Sequence, residues 1–316
     1  MEALFSLIRF ALWGAPYPTF PAAAFPADAE GWRRLYRESC RQAVQGIVYD
    51  AIRKLHLDPL LPEDLASKWA EAVSEIESHN SHLAQVSALQ TRAWERRGVD
   101  AVELKGLTVA AFYPVPEHRV SGDIDWWFPT VDDWDKALRA VEENGLAPEY
   151  DGDGDFHYLL GGVVVEHHRN GLEVPGAAGQ LLLQSKHILH HAMGAGVGLR
   201  HICDIALTYD ALEGQYDRRE YLDLLSARGL SSWTRCLENV VLFLKGESEL
   251  SFWGGRLLGL VMADGNFGLH KRRRFSGFLL RMLFFIPIAP RPFIRHWIHL
   301  LRHFLSRRIG EINRSH

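Results

Sequence analysis

Asp123, Ile124 and Asp125 run directly into Trp126, Trp127 and Phe128, and this stretch restricts the fold more than any other in the chain. On an extended strand residues two apart share a face, so the two carboxylates stand side by side at the edge of a hydrophobic run. Two like charges held that close repel unless a cation lies between them. A hard dication such as Mg²⁺, which takes oxygen ligands, suits the gap.

The hydrophobic period on either side puts this strand in context. Residues 1–13 are apolar apart from Glu2 and Arg9 and read as a packed helix. Apolar residues then recur at helical spacing over 31–55 and 62–97, as in Leu83, Val86, Leu89 and Ala93, which predicts two or three helices ending near Gly98. Beyond Gly98 the pattern changes. Residues 99–104 read as a strand, 107–113 as a helix, 124–128 as a second strand and 131–144 as an amphipathic helix. Residues 156–160 and 163–167 form a hairpin around Gly161-Gly162. After Gly179 the helical period returns over 180–193, 199–211, 218–228 and 232–243. The expectation is an α+β protein: a helical part over 1–97, a small mixed sheet over 98–178, a helical part over 179–269 and a basic amphipathic tail over 270–316.

Composition narrows the class. Of 316 residues, 47% are hydrophobic and 23% charged, as in an ordinary soluble globular chain. Cys40, Cys203 and Cys236 are far apart, with no C-x-x-C pair and no secretory pattern at Met1, so they read as reduced thiols of a cytoplasmic protein. From His270 to His316 there are eleven Lys/Arg against Glu311 alone, a local +10; the whole chain is -4, so the remainder carries -14. Such a tail points to an anionic partner: a lipid headgroup surface met peripherally, nucleic acid, or an acidic surface of the same protein. Arg281, Pro287, Pro290, Arg291 and Pro292 interrupt it too often for a transmembrane helix. Two readings stay open, an interfacial helix with Arg outward and Phe/Leu/Trp inward, and a packed helical hairpin.

A third carboxylate would complete a two-metal site, and VVVEHH supplies Glu166 after three valines on the last expected strand. The ordered set of Lys105-Gly106, Arg119, Asp123-Ile124-Asp125, Glu166 and a His-rich helix leading to LRHICDIAL resembles the uncharacterised nucleotidyltransferase family of the DNA polymerase β type superfamily. The resemblance covers roughly 84–209. It implies that Asp123 and Asp125 ligate two Mg²⁺ (or Mn²⁺) ions, and that Glu166 ligates the catalytic one and helps deprotonate the acceptor. Other branches carry Gly-Ser where Lys105-Gly106 stands. By the resemblance the lysine ammonium would serve as counter-charge to the nucleotide phosphates, Gly106 would let the backbone approach, and Arg119 would be a second phosphate contact.

Histidines surround this set. His168 shares a strand face with Glu166 and is the one of His157, His167 and His168 that reaches the site. His187, His190 and His191 share a helix face, as a metal site or as histidines lining an acidic cleft or a domain junction. The resemblance includes a His in this helix and an Arg and Asp after it, matching His190 or His191, Arg200 and Asp204. These read as cleft or interdomain residues, with Asp204 pairing Arg200 and one His touching substrate. The activity so implied is Mg²⁺-dependent transfer of a nucleoside monophosphate from an NTP to a hydroxyl or phosphate of a small molecule or protein, releasing pyrophosphate. An acidic cleft disfavours long nucleic acid. The rival expectation is a non-catalytic binding module on the same fold, antitoxin-like or membrane-peripheral.

Overall fold

The computed structural model describes residues 1–14, 25–26, 28–150, 154–169, 176–266 and 275–298. The N-terminal part holds α1 (Glu2–Trp13), α2 (Ala29–Arg41), α3 (Gln45–Lys54) and α4 (Glu63–Arg97). The apolar run 31–55 becomes two helices because Ala43 takes a left-handed conformation, φ 55°, between them. Asp28 caps α2 by accepting from the Gly31 N–H at 2.7 Å. The 35 residues of α4 span about 52 Å at the helical rise.

Next come β1 (Val102–Leu104), α5 (Leu107–Ala110), β2 (Asp123–Trp127), α6 (Val131–Glu143), β3 (Glu149–Tyr150), β4 (Phe156–Leu160) and β5 (Val163–His168). The strands form one mixed sheet in the order β1-β2-β5-β4-β3, with β2 and β5 parallel and the other pairs antiparallel. Gly161 and Gly162, at φ 59° and 82°, form the two-residue hairpin turn that a side chain with Cβ would resist. The short edge strand β3 has no clear period of its own and exists through its pairing with β4.

The remaining elements are helical: α7 (Gly176–Met193), α8 (Leu199–Ala211), α9 (Arg218–Ala227), α10 (Ser231–Lys245), α11 (Phe252–Asp264) and α12 (Phe275–Ile288), with a further helical stretch over 290–298. Two apolar cores result. One joins α1 to α3, the first half of α4 and the helices from α7 onward; the other lies between the sheet, α6 and the second half of α4. Leu65, Trp69 and Val73 of α4 belong to the first, and Leu83, Val86 and Trp94 to the second. One long helix thus ties both cores together, and the carboxylate-bearing face of the sheet looks toward α7 and α8.

The tail packs on the body over its described part. Phe284, Phe285, Ile288, Ala289 and Phe293 are buried in the helical core. Arg281 corrects the expectation that its charge faces outward. It is buried, pairs with Asp264, and donates to the carbonyls of Ala192 and Gly194 at 2.8 and 3.1 Å, satisfying acceptors at the end of α7. Arg291 and Arg295 do face outward. Residues 270–274 and 299–316 of the tail lie outside the described residues. Among the described residues no helix is long and apolar enough to cross a membrane.

Candidate active site

Strand alternation separates the two faces of the sheet. Ile124 and Trp126 of β2, with Val163, Val165 and His167 of β5, point into the apolar core. Asp123, Asp125, Glu166 and His168 occupy the alternate positions and face the other way. The parallel register sets Asp125 beside Glu166, Asp123 beside Val164 and Trp127 beside His168. His167 is a core histidine. It exchanges a hydrogen bond with the Tyr158 hydroxyl at 3.0 Å, and burial holds its imidazole neutral, pushed down to about 3.

A cavity of about 230 Å³ opens over the polar face. Asp123, Asp125, Glu166, Lys105, Gly106, Arg119, His191, Arg200 and Asp204 all line it. So does His187, which the sequence placed on one helix face with His191, and so do Gln184 and His201, which the sequence did not single out. His190 does not line it. A step of one residue turns a helical side chain by about 100°, and His190 faces outward against the ring of His296, centroids 5.4 Å apart.

Asp125 is the electrostatic centre. It is buried, which alone would raise its pKa, yet Lys105 and His168 hold the carboxyl below its ordinary range. Lys105 Nζ donates to Asp125 Oδ1 at 2.9 Å and approaches His187 Nδ1 at 3.4 Å. His168 Nε2 donates to the same Asp125 oxygen at 2.7 Å and lies 3.6 Å from Glu166 Oε2. Its Nδ1 donates to Asp155 Oδ2 at 2.9 Å, and Asp155 Oδ1 accepts the Arg169 N–H at 2.8 Å. Burial works against protonation of His168, but the hydrogen bonds to Asp125 and Asp155 prevail and hold it at about 9. Asp123 and Glu166 move the other way: burial and the neighbouring carboxylate charges raise both. Asp155 was absent from the sequence-level set, yet a signal existed. The hairpin pairs Phe156 with His167, so Asp155 falls opposite His168.

The turn before α5 is conformationally committed. Lys105 sits at φ 53° and Gly106 at φ 51°, ψ -115°, a region open in practice to glycine alone. A Cβ on Gly106 would lie 3.3 Å from the Asp123 carbonyl oxygen. The backbone here passes close to the start of β2, and the lysine side chain is turned into the carboxylates.

Arg119 is buried and grips Asp204: Nε donates to Oδ1 at 2.7 Å, Nη2 to Oδ2 at 2.8 Å, and Nη1 to Ser121 Oγ at 3.0 Å. Tyr113 donates its hydroxyl to Asp204 Oδ1 at 2.7 Å. The bidentate partner of Asp204 is therefore Arg119, where the sequence suggested Arg200. Arg200 gives an N–H to the Val120 carbonyl at 2.7 Å and acts on Asp204 through its charge. Burial and the nearby guanidinium of Arg119 lower the Arg200 pKa. His187 and His201 are pushed well below the ordinary value by burial, aided by Lys105 and by Arg200 respectively, and stay neutral.

The donor atoms of Asp125, Glu166 and His168 lie within 4.8 Å of one another. Two carboxylates and an imidazole whose far nitrogen is held by a third carboxylate form a donor set suited to a divalent cation. Lys105 and His168 balance the carboxylate charge in the protein as described.

Residues 28–174 match a family model described as an uncharacterised nucleotidyltransferase. No curated protein and no solved structure matches the chain. The match takes in β1 to β5, the Lys105-Gly106 turn and the three carboxylates, so residues 28–174 are similar to the family of uncharacterised nucleotidyltransferases.

Proposed function

We propose that the protein transfers a nucleoside monophosphate from an NTP to a hydroxyl or phosphate of a small molecule or protein, releasing pyrophosphate, with a divalent cation, Mg²⁺ or Mn²⁺, at Asp123, Asp125 and Glu166. The observation that carries this reading is the convergence of three carboxylates from the adjacent strands β2 and β5 on one cavity, beside the Lys105-Gly106 turn. Carboxylates that served only to stabilise the fold would not be gathered, half-buried or buried and mutually repelling, on one side of a sheet.

A bound dication would supply charge neutralisation of the triphosphate and acidify the attacking hydroxyl. The chain's own residues provide the rest. Gly106, without a side chain, lets phosphate oxygens approach the backbone amides of the turn. Lys105, held by Asp125 before the nucleotide arrives, offers its ammonium to the phosphates afterwards. Arg119 lines the cavity with its guanidinium already gripped by Asp204, so a phosphate shares it with that carboxylate. Glu166, less buried than Asp125, takes the proton of the attacking hydroxyl at a carboxylate oxygen. Arg200 and the neutral His191 form the far wall, where the acceptor is placed. Around the described tail, Leu283, Ile286 and Ile294 are exposed beside the basic Arg291 and Arg295, a composition compatible with a peripheral membrane contact.

The test is a screen of the four labelled NTPs with Mg²⁺ or Mn²⁺ against small sugars, antibiotics, proteins and RNA, following pyrophosphate release and label transfer. Label on an acceptor, lost in Asp125→Asn, supports the reading. Failure of every NTP to bind in the presence of either cation would overturn it in favour of a non-catalytic binding module.

A further inference from the structure

We propose that His168 is a direct ligand of the cation, so that the site formed by Asp125, Glu166 and His168 prefers a first-row transition-metal dication to Mg²⁺. The inference rests on the nucleotidyl-transfer reading for the presence of a cation and revises the donor set of that reading, His168 entering as a nitrogen ligand in place of Asp123.

Three observations carry it. First, the imidazole is in place. His168 Nε2 is 2.7 Å from Asp125 Oδ1 and 3.6 Å from Glu166 Oε2, and the donor atoms of all three residues fall within 4.8 Å. Asp123, one position earlier on the same face of β2, is outside that group; it remains on the cavity wall, where the charges of Lys105 and Arg200 act on it.

Second, the ring is aimed. Nδ1 donates to Asp155 Oδ2 at 2.9 Å, and Asp155 is itself fixed by the Arg169 N–H at 2.8 Å. A carboxylate on the far nitrogen is the usual support of a metal-bound histidine, because it sets the tautomer and the ring plane and makes the near nitrogen a better donor. A histidine present only to neutralise Asp125 would not need that second restraint.

Third, the strand geometry places the imidazole on the donor face. Glu166 and His168 are two apart on β5, and Glu166 is in register with Asp125 across the parallel pair, so the three side chains leave the sheet on one side. The cation takes the place of the Nε2 proton that Asp125 now accepts.

The chemistry of the donors then decides the metal. Mg²⁺ keeps its water and prefers hard oxygen ligands, whereas replacing one oxygen by an imidazole nitrogen favours d-block dications along the series from Mn²⁺ upward. Mn²⁺ lies at the weak end of that series, which makes it a demanding probe.

The experiment uses the full chain and Mn²⁺ as the probe, with no nucleotide present. Pulsed electron paramagnetic resonance of bound Mn²⁺ should reveal a directly bonded ¹⁴N, and Mg²⁺ competition should give the Mn²⁺-to-Mg²⁺ affinity ratio. In His168→Gln the nitrogen coupling should vanish and the ratio fall by about 10–100-fold. Asp155→Asn, which leaves all three donors intact, should weaken Mn²⁺ by about 10–100-fold while keeping the coupling, and it serves if the first variant fails to fold. Absence of nitrogen coupling in the wild type, or absence of Mn²⁺ binding, overturns the proposal. Label transfer by the wild type without nitrogen coupling would sink this inference and leave the nucleotidyl-transfer reading standing. Nitrogen-coupled Mn²⁺ in a protein that binds no NTP would support this site and sink that reading.

Discussion

The guanidinium of Arg119 donates to both oxygens of Asp204, at 2.7 and 2.8 Å, and so ties the loop before β2 to the buried face of α8. Both residues are buried, and burial of Asp204 would raise its carboxyl, but Arg119 more than compensates and holds it low. The pair fixes the distance between the carboxylate face of the sheet and the helical wall.

Removing one partner should therefore cost far more than removing both. Arg119→Met strands a buried carboxylate and is expected to destabilise the fold by about 3–5 kcal/mol. Arg119→Met with Asp204→Leu should recover most of that loss, because two apolar groups leave no uncompensated charge. Urea denaturation of the single and double variants measures both; equal losses would mean that packing at this point matters more than charge.

Asp123 and Asp125 should separate in stability. Asp125→Asn takes the carboxylate from Lys105 and His168 at once and is expected to cost about 3 kcal/mol. Asp123→Asn removes a carboxylate that is partly buried and repelled by Asp125, so its cost should stay under about 1 kcal/mol. Both should abolish transfer. Thermal denaturation without divalent cations, beside a label-transfer assay, checks the two halves independently.

Lys105 should matter for the nucleotide. Lys105→Ala is expected to lose about 1.5–3 kcal/mol of affinity for a non-hydrolysable NTP, the range of a charge-assisted hydrogen bond. Lys105→Arg should recover only part, since a planar fork does not replace a point charge in this turn. Calorimetric titration of wild type, Ala, Arg and Gln variants decides the matter; equal affinities would remove the turn from the binding site.

Gly106→Ala tests the same turn through its backbone. At φ 51° and ψ -115° an alanine is strained, and its Cβ would lie 3.3 Å from the Asp123 carbonyl. The expected cost is about 1–3 kcal/mol of stability, with weaker nucleotide binding as the turn shifts. Unchanged stability in chemical denaturation would show that the loop relaxes freely.

His118 should give a signature in pH. Its Nδ1 donates to Asp50 at 2.7 Å and its Nε2 to Glu77 at 2.9 Å, linking α3 to α4 just ahead of Arg119. The hydrogen bond to Asp50 is the largest influence on it, burial opposes it, and the net effect is a pKa above the ordinary 6.5. The stabilisation is fully present below 6.5 and is lost as pH rises through the folded-state value. Wild type minus His118→Gln should thus give a larger difference in unfolding free energy near pH 6 than near pH 9. A difference that does not change with pH would assign His118 a packing role.

Much of this protein could be read from local chemistry. The change of hydrophobic period at Gly98, the hairpin at Gly161-Gly162 and the helix 199–211 depend on side-chain spacing along a few turns or strand residues, which the covalent chain carries with it. The facing of Asp123, Asp125, Glu166 and His168 follows from the strand period of two, once the strands are granted. Tertiary packing decided what that spacing leaves open. Nothing in the order of residues says that Asp204 meets Arg119 across 85 positions while Arg200 turns to the Val120 carbonyl. Nor does it say that His190 faces away from the cavity beside His191, that Arg281 is drawn inward to Asp264, or that β3 forms on the edge of β4. Periodicity is fixed between neighbours in sequence, whereas the choice of a buried charge's partner depends on which surfaces the helices close against. A charge taken from water has to accept the partner it finds there.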